Sequence, residues 1–321
     1  MFKPWQAYFE MSSYIHDAKI KELEEKANEA RQLLIKMLEE AGSGHTAGPL
    51  GMADIFTALY FHVLKHEPKD SEWPERDRII LSNGHITPIR YVVMAMAGYF
   101  SIEELKTLRK FGTRLQGHPE REKLPGVETT SGPLGSGLGQ AAGIAYAARL
   151  DINNPSSKTS SGRPAGRFRT YCIMSDGEHQ EGSTWESIMF AGKYKLSNLT
   201  AIIDRNNIQI DGMTENIMPL EPLREKYEAF NWHVIEIDGH NIEQFVDAVE
   251  QAKSIQEKPT LILAHTIPGK GVDFMENDYL WHGNPPGKVK DDPDAPAPEQ
   301  QAKEALKQLR TLRGKIKSEH E

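Results

Sequence analysis

Cysteine is almost absent from the 321 residues, and the single Cys172 excludes both an internal disulfide and a cysteine-rich zinc module. Long apolar runs are missing too. The stretch from Tyr91 to Phe100 is the nearest candidate, and it falls well short of the roughly 20 residues that cross a bilayer. Basic residues are the minority, with 38 Lys and Arg against 46 Asp and Glu, for a formal net charge of −8. That balance argues against a nucleic-acid surface and against binding to an anionic membrane. It leaves room for a local phosphate site, because loops and helix N-termini hold anions through main-chain N–H groups. The opening residues, MFKPWQAYFE, lack a basic segment followed by an apolar one, so no secretory leader is expected and a reducing cytoplasm fits. What the chain has is core-forming material: 38% hydrophobic and 8% aromatic residues, enough for a large α/β domain.

Periodicity gives the organisation. Ile20, Leu23, Ala27, Ala30, Leu34, Met37 and Leu38 recur at helical spacing between Asp17 and Glu40, and Gly42 supplies the stop. A second helix runs through Ile55, Phe56, Leu59, Tyr60 and Val63. Five short apolar runs read as buried parallel strands: Arg78 to Ser82, Thr170 to Met174, Leu199 to Asp204, Val234 to Ile237 and Thr260 to His265. Helical patterns lie between them, at Leu138 to Leu150, Thr184 to Tyr194 and Ile242 to Ile255. Strands alternating with helices predict a doubly wound, mostly parallel sheet covered by helices on both faces. Residues 153–166 are polar and aperiodic and read as a mobile surface loop. The expected division is one domain over 1–283, a Pro-rich linker over 284–298, and a terminal helix over 299–321.

The chemistry concentrates at strand ends. Ser175-Asp176-Gly177 follows one predicted strand, and Asp204-Arg205-Asn206-Asn207 closes the next, 30 residues on from Asp176 to Asn206. Open α/β sheets bind ligands at the carboxyl ends of their strands. A carboxylate, a carboxamide and nearby main-chain carbonyls form the all-oxygen set that suits Mg²⁺, and Gly177 lets a phosphate approach the backbone. Either dipeptide alone would read as an ordinary turn; the pair, with a helix and a strand between, points to a diphosphate–metal site. The segment Gly135-Ser136-Gly137-Leu138-Gly139 is not a dinucleotide fingerprint, since no strand precedes it.

The pairing resembles the signature of thiamine-diphosphate enzymes, with Ser175 in place of its first glycine. Further motifs, spread from about Gly42 to Gly283, resemble the transketolase family. Ser43-Gly44-His45 with Gly48-Pro49-Leu50-Gly51, Ser82-Asn83-Gly84-His85, and Gly117-His118-Pro119-Glu120 look like its three histidine loops. Gly132-Pro133-Leu134-Gly135 looks like the loop beside the cofactor's aminopyrimidine, and Gln180-Glu181-Gly182 and Ile208 to Gly212 extend the metal motif. The resemblance implies Mg²⁺, or Ca²⁺ or Mn²⁺, on Asp176, Asn206 and the carbonyl of Ile208. It implies thiamine diphosphate held by His85, Gly132, Pro133, Leu134, Gly177 and Asn206, with His45 and His118 facing the sugar. His282, in Trp281-His282-Gly283, matches a late substrate-side histidine, although Pro268 stands where a basic residue often precedes it. The family's reaction moves protons on and off sugar oxygens, work for which imidazoles are suited.

Each histidine alone would read as a solvated loop residue; three in separate strand-end loops, each with its motif, read as a site. His62 and His66, four residues apart on a helix, could pair on a metal but read better as surface or interface residues. The glutamate that activates the pyrimidine and the arginines that grip the sugar phosphate belong to the family's second domain, and no such motif is found here. The resemblance therefore implies a partner subunit carrying the pyrimidine-binding domain, in an α2β2 assembly acting on sugars. The alternatives are a subunit of a 2-oxoacid dehydrogenase or deoxyxylulose-phosphate synthase type, or a non-catalytic relative.

Overall fold

The structure, a computed structural model, describes residues 14–153 and 168–311. The polar stretch at 153–166 therefore lies outside the described residues except for Asn153, as does the part of the terminal helix beyond 311. Helix α1 (Asp17–Ala41) buries Leu23, Ala27, Ala30, Leu34 and Leu38 along one stripe. Gly42 ends it in the left-handed conformation at φ 59, turning its N–H back to the carbonyls of Leu38 and Glu39. Two short helices follow, α2 (Ala47–Gly51) and α3 (Ala53–Ala58), the second running into one π-helical turn at Leu59–Val63.

The main sheet uses strands β1 (Arg78–Leu81), β2 (Thr170–Ser175) and β3 (Leu199–Arg205). A small hairpin, β4 (Ile208–Gln209) and β5 (Gly212–Met213), leaves the end of β3. Strands β6 (His233–Asp238) and β7 (Thr260–His265) complete the sheet, whose order is β1-β2-β3-β7-β6 with all pairs parallel. The crossovers carry α4 (Thr87–Met96), α5 (Gly137–Asn153), α6 (Gly182–Lys193), α7 (Thr214–Ile217), α8 (Leu223–Ala229) and α9 (Ile242–Ser254). The expected doubly wound parallel sheet is what forms.

Strand alternation divides the interior into two cores. Ile79, Leu81, Tyr171, Ile173, Ile202, Ile262 and Ala264 face one side, where α1, α3, α4 and α9 cover them. Ile80, Cys172, Met174, Ala201, Ile203, Leu261 and Leu263 face the other, against residues of α5, α6 and α8. Both faces are apolar, which is why the strands read as continuous hydrophobic runs. Each buried Ile, Leu or Met among them contributes about 1.5–3 kcal/mol.

Residues 284–298 run along this body. Val289 is buried, Trp281 Nε1 donates to Asp292 Oδ2 at 3.0 Å, and the buried Gln301 amide donates to Val289 O at 2.7 Å. Helix α10 (Pro298–Thr311) packs Ala302, Ala305 and Leu309 into the first core, and Asn28 Nδ2 of α1 donates to Leu309 O at 3.1 Å.

Candidate active site

Four loops bring four histidines together, and of these only that of His85 directly follows a strand. His45 precedes α2, and His85 sits in a 3-10 turn (Gly84–Ile86) just after β1. His118 lies in the loop before α5, and His282 follows a 3-10 turn (Tyr279–Trp281). The His45 ring is 5.1 Å from His85, 5.6 Å from His282 and 6.3 Å from His118, centroid to centroid; His85 and His282 are 5.1 Å apart. The structure thus unites all four sequence-predicted histidines.

The loops are clamped to one another. Thr46 Oγ1 donates to Asn284 O at 2.7 Å, tying the His45 loop to the segment after His282. A Cβ on Gly84 would overlap Ser131 Oγ and come within 3.2 Å of Gly132 N, so the His85 turn and the Gly132 loop touch backbone to backbone. Gly132 itself faces open space, and the Pro133-Leu134 turn, with Leu134 exposed, leads into α5.

Burial decides the charge of the cluster. Removal from water lowers the pKa of His45 to about 3, helped by His282, Arg109 and His118, and takes His85 well below the usual imidazole range. The same cause lowers His118 and His282. Four neutral imidazoles result, each offering one donor and one acceptor. Several polar atoms here are buried without a partner: His45 Nδ1, His282 Nδ1, Ser131 Oγ and both carboxamide atoms of the fully buried Asn83. Buried polar groups are ordinarily satisfied, so this concentration marks a place where a polar ligand belongs.

The second centre lies at the ends of β2 and β3. Asp176 follows β2 and is buried; its Oδ1 accepts from Gly177 N at 2.6 Å. Its Oδ2 accepts from Asn207 N at 2.8 Å and from Arg205 Nη1 at 2.9 Å. Burial raises the Asp176 pKa and Arg205 opposes that shift. Asn206 is held by its own carboxamide, Nδ2 donating to Asp204 Oδ2 at 2.7 Å and Oδ1 accepting from Ile208 N at 3.1 Å. Burial pushes Asp204 up to about 7, and Thr266 Oγ1 donates to its other oxygen. A Cβ on Gly48 would lie 3.8 Å from Asp204 Oδ2, so the His45 loop abuts this centre. Among the described residues no group of three or more His, Cys, Asp or Glu side chains is arranged to hold a metal ion by itself, and the donors gathered here are a carboxylate, a carboxamide and the Ile208 main chain.

His66 is spent on Tyr99 Oη at 3.0 Å and Tyr60 O at 2.7 Å, while His62 is exposed. Three contributors carried no assigned role in the sequence. Asn83 and Arg205 lie inside motifs already quoted, which was their only signal. Glu178 ties strand ends together: it accepts from Ser82 Oγ at 2.6 Å and Ser175 N at 3.0 Å, and burial pushes its carboxyl up to about 7.

Residues 23–293 match the model of the family described as transketolase, thiamine diphosphate binding domain. The chain belongs to that family. This transketolase domain is 43% identical over 261 residues to the 6-deoxy-6-sulfo-D-fructose transketolase subunit SqwG of Clostridium sp. (strain MSTE9), covering 81% of this chain and 90% of that one. It is 38% identical over 267 residues to an apulose-4-phosphate transketolase subunit of Phocaeicola vulgatus, covering 83% and 90%. The transketolase of Leishmania mexicana superposes with a TM-score of 0.77 at 33% identity, covering 91% of this chain and 44% of that one. For the Campylobacter jejuni enzyme the values are 0.75, 34%, 94% and 48%. The transketolase domain therefore spans under half of these solved enzymes but nine-tenths of the two subunit proteins. None of its described helices is long and apolar enough to cross a membrane.

Proposed function

We propose that this chain is the diphosphate-binding subunit of a two-chain transketolase, working in the cytoplasm and moving a two-carbon ketol unit from a ketose to an aldose. The observation that carries the reading is the meeting of four neutral imidazoles with unpaired buried polar atoms and the oxygen donors of Asp176, Asn206 and Ile208. Two relatives are named for sugars bearing a sulfonate or a phosphate, which supports an anionic sugar as substrate.

The residues fit the groups this function needs. Asn83, Ser131, His45 and His282 have buried polar atoms to spare, and Gly132 and Gly177 leave space where side chains would intrude. Oxygen donors suit a hard dication, and Asp176 Oδ1, with one N–H bound, keeps a lone pair for it. Asp176, Asn206 and the Ile208 carbonyl would hold Mg²⁺, and Ca²⁺ or Mn²⁺ would use the same oxygens. Thiamine diphosphate, when bound, supplies the nucleophilic carbon that adds to the ketose carbonyl. Gly177, Asn206 and His85, together with Gly132, Pro133 and Leu134, would bind the cofactor. His45, His118 and His282 hold the sugar hydroxyls and pass protons to and from them, which neutral imidazoles do without first losing a charge.

A partner subunit with the pyrimidine-binding domain completes the enzyme, as two copies of each chain. The test is product analysis on this chain mixed with that partner, thiamine diphosphate and Mg²⁺. A ketose and an aldose should exchange two carbons without release of CO₂. Decarboxylation of a 2-oxoacid instead would favour the dehydrogenase or deoxyxylulose-phosphate synthase type.

A further inference from the structure

One cation at the mouth of the histidine cluster has no assigned work. Arg109 lies in the loop between the 3-10 helix Ile102–Thr107 and His118. Its backbone is left-handed at φ 60, and its N–H donates to Leu115 O at 3.0 Å, closing the loop on itself. A non-glycine residue pays about 1–2 kcal/mol to sit there, so the loop spends stability to aim this side chain. The guanidinium lies over Gly117, where Nε and Nη2 are 2.7 and 2.8 Å from the point a Cβ would occupy. The next residue is His118. The positive charge is close enough to oppose protonation of both His118 and His45.

Other arginines of the chain are engaged and it is not. Arg114 grips Glu104 through two hydrogen bonds of 2.5 and 3.0 Å, and Arg205 is held by Asp176, Glu215 and Glu221. Among the described residues no carboxylate pairs with Arg109, and its side chain is exposed. In a protein of net charge −8, an unpaired guanidinium beside neutral imidazoles is a local attractor for an anion. A guanidinium also matches a tetrahedral oxyanion with two parallel N–H donors.

We propose that Arg109 is a specificity residue of this chain, reading the phosphate or sulfonate at the end of the sugar distal to the bond that breaks. The inference rests on the ketol-transfer reading above and adds to it an anion contact that does not come from the partner subunit.

The experiment uses the assembled two-chain enzyme with three donors sharing one acceptor: fructose 6-phosphate, 6-deoxy-6-sulfofructose and fructose. Arg109→Asn removes the charge with a residue that tolerates the left-handed backbone, and Arg109→Lys retains the charge without the fork. Loss of a charge-assisted contact should raise KM for the anionic donors by about 10- to 100-fold, chiefly in KM and not kcat, and by at least tenfold more than for fructose. Arg109→Lys should recover part of the difference. A loss confined to one anionic donor supports the inference and names the anion. Equal losses for fructose and the anionic donors, or no change in any arm, overturn it while ketol transfer by the wild type leaves the functional reading intact. Failure of the wild-type assembly to use any of the three overturns the functional reading and the inference with it.

Discussion

His45 shows how a titratable side chain becomes a neutral tool. Its pKa lies near 3 because burial and three neighbouring positive or protonatable groups oppose a charge. In the unfolded chain the same imidazole takes its proton near 6.5. Below that pH the unfolded state binds more protons than the folded one, so stability is fullest above about pH 6.5 and declines as pH falls towards 3. His85, His118 and His282 shift in the same direction and add to the slope. Asp204 and Glu178, which burial pushes up to about 7, act in the opposite sense over the same range, so His45 is read by difference: between pH 7.5 and pH 5 its loss should remove at least about 1 kcal/mol of acid destabilisation, seen as urea stabilities that change less unfavourably in His45→Gln than in the wild type. The same pH dependence in both proteins would refute a neutral buried His45. The same variant, and His118→Gln, should lower turnover of the assembled enzyme by about 10²- to 10⁴-fold. Asp176 needs a gentler change. Truncation to Ala would take away the carboxylate that Arg205 Nη1, Asn207 N and Gly177 N share, and removing one partner of a buried pair costs about 3–5 kcal/mol. Asp176→Asn keeps the shape and an acceptor while removing the charge, and calorimetry should show Mg²⁺-dependent thiamine diphosphate affinity reduced at least about tenfold. Unchanged affinity would remove Asp176 from the metal site.

Between elements, the loops matter through their closeness. Gly84 brings the His85 turn against Ser131 and Gly132, and a methyl group there would also sit 3.1 Å from His118 Cδ2. Gly84→Ala should cost about 1–3 kcal/mol by overpacking and loosen the two loops together, read as a lower denaturant midpoint and weaker cofactor binding. Wild-type values for both would mean the loops part at no cost. The five strands were legible because both faces of the sheet are buried, which turns each strand into an apolar run with a clear beginning and end. The active-site motifs were legible because strand ends carry them in fixed local patterns. Helix α4 was not, since from Thr87 to Ala95 it is buried all round, Arg90 included, and no exposed polar face sets a period. Nor could spacing reveal that His45, His85, His118 and His282 share one cluster, because His45 precedes the first strand, His282 follows the last, and only the folded sheet brings them together. The union of His240 with two distant segments was equally hidden: its Nδ1 meets Asp54 Oδ2 at 2.8 Å and its Nε2 accepts from Ile267 N at 2.8 Å, beside Pro268. A basic side chain is absent at Pro268, yet the loop is pinned to the His45 segment by Gly269 N donating to Ala47 O at 2.8 Å.

At the scale of the whole molecule, the site is a wall and not an enclosed chamber. The segments that carry its polar atoms also carry exposed apolar side chains. Phe111 is fully exposed, and Leu134, Ile210 and Met218 also face outward. Exposed apolar surface beside a ligand site marks a contact still to be made. The lengths agree, because this chain matches nine-tenths of proteins named as transketolase subunits and under half of complete transketolases. We therefore expect the purified chain with saturating thiamine diphosphate and Mg²⁺ to show no ketol transfer, and transfer to appear when the pyrimidine-binding partner is added. The physical reason is that, on the proposed reading, Asp176, Asn206 and the histidines hold a diphosphate and a sugar, while the acid for the cofactor's pyrimidine comes from the partner. Binding energy at the diphosphate does not substitute for that, since it is the same before and during the chemical step. Sedimentation of the mixture should show a species containing both chains, and Phe111→Ser together with Ile210→Ser should weaken it, because rim residues lose their burial without touching the site. A coupled ketose–aldose assay in which the homogeneous chain turns over as fast as the mixture would show that the wall is already a complete active site.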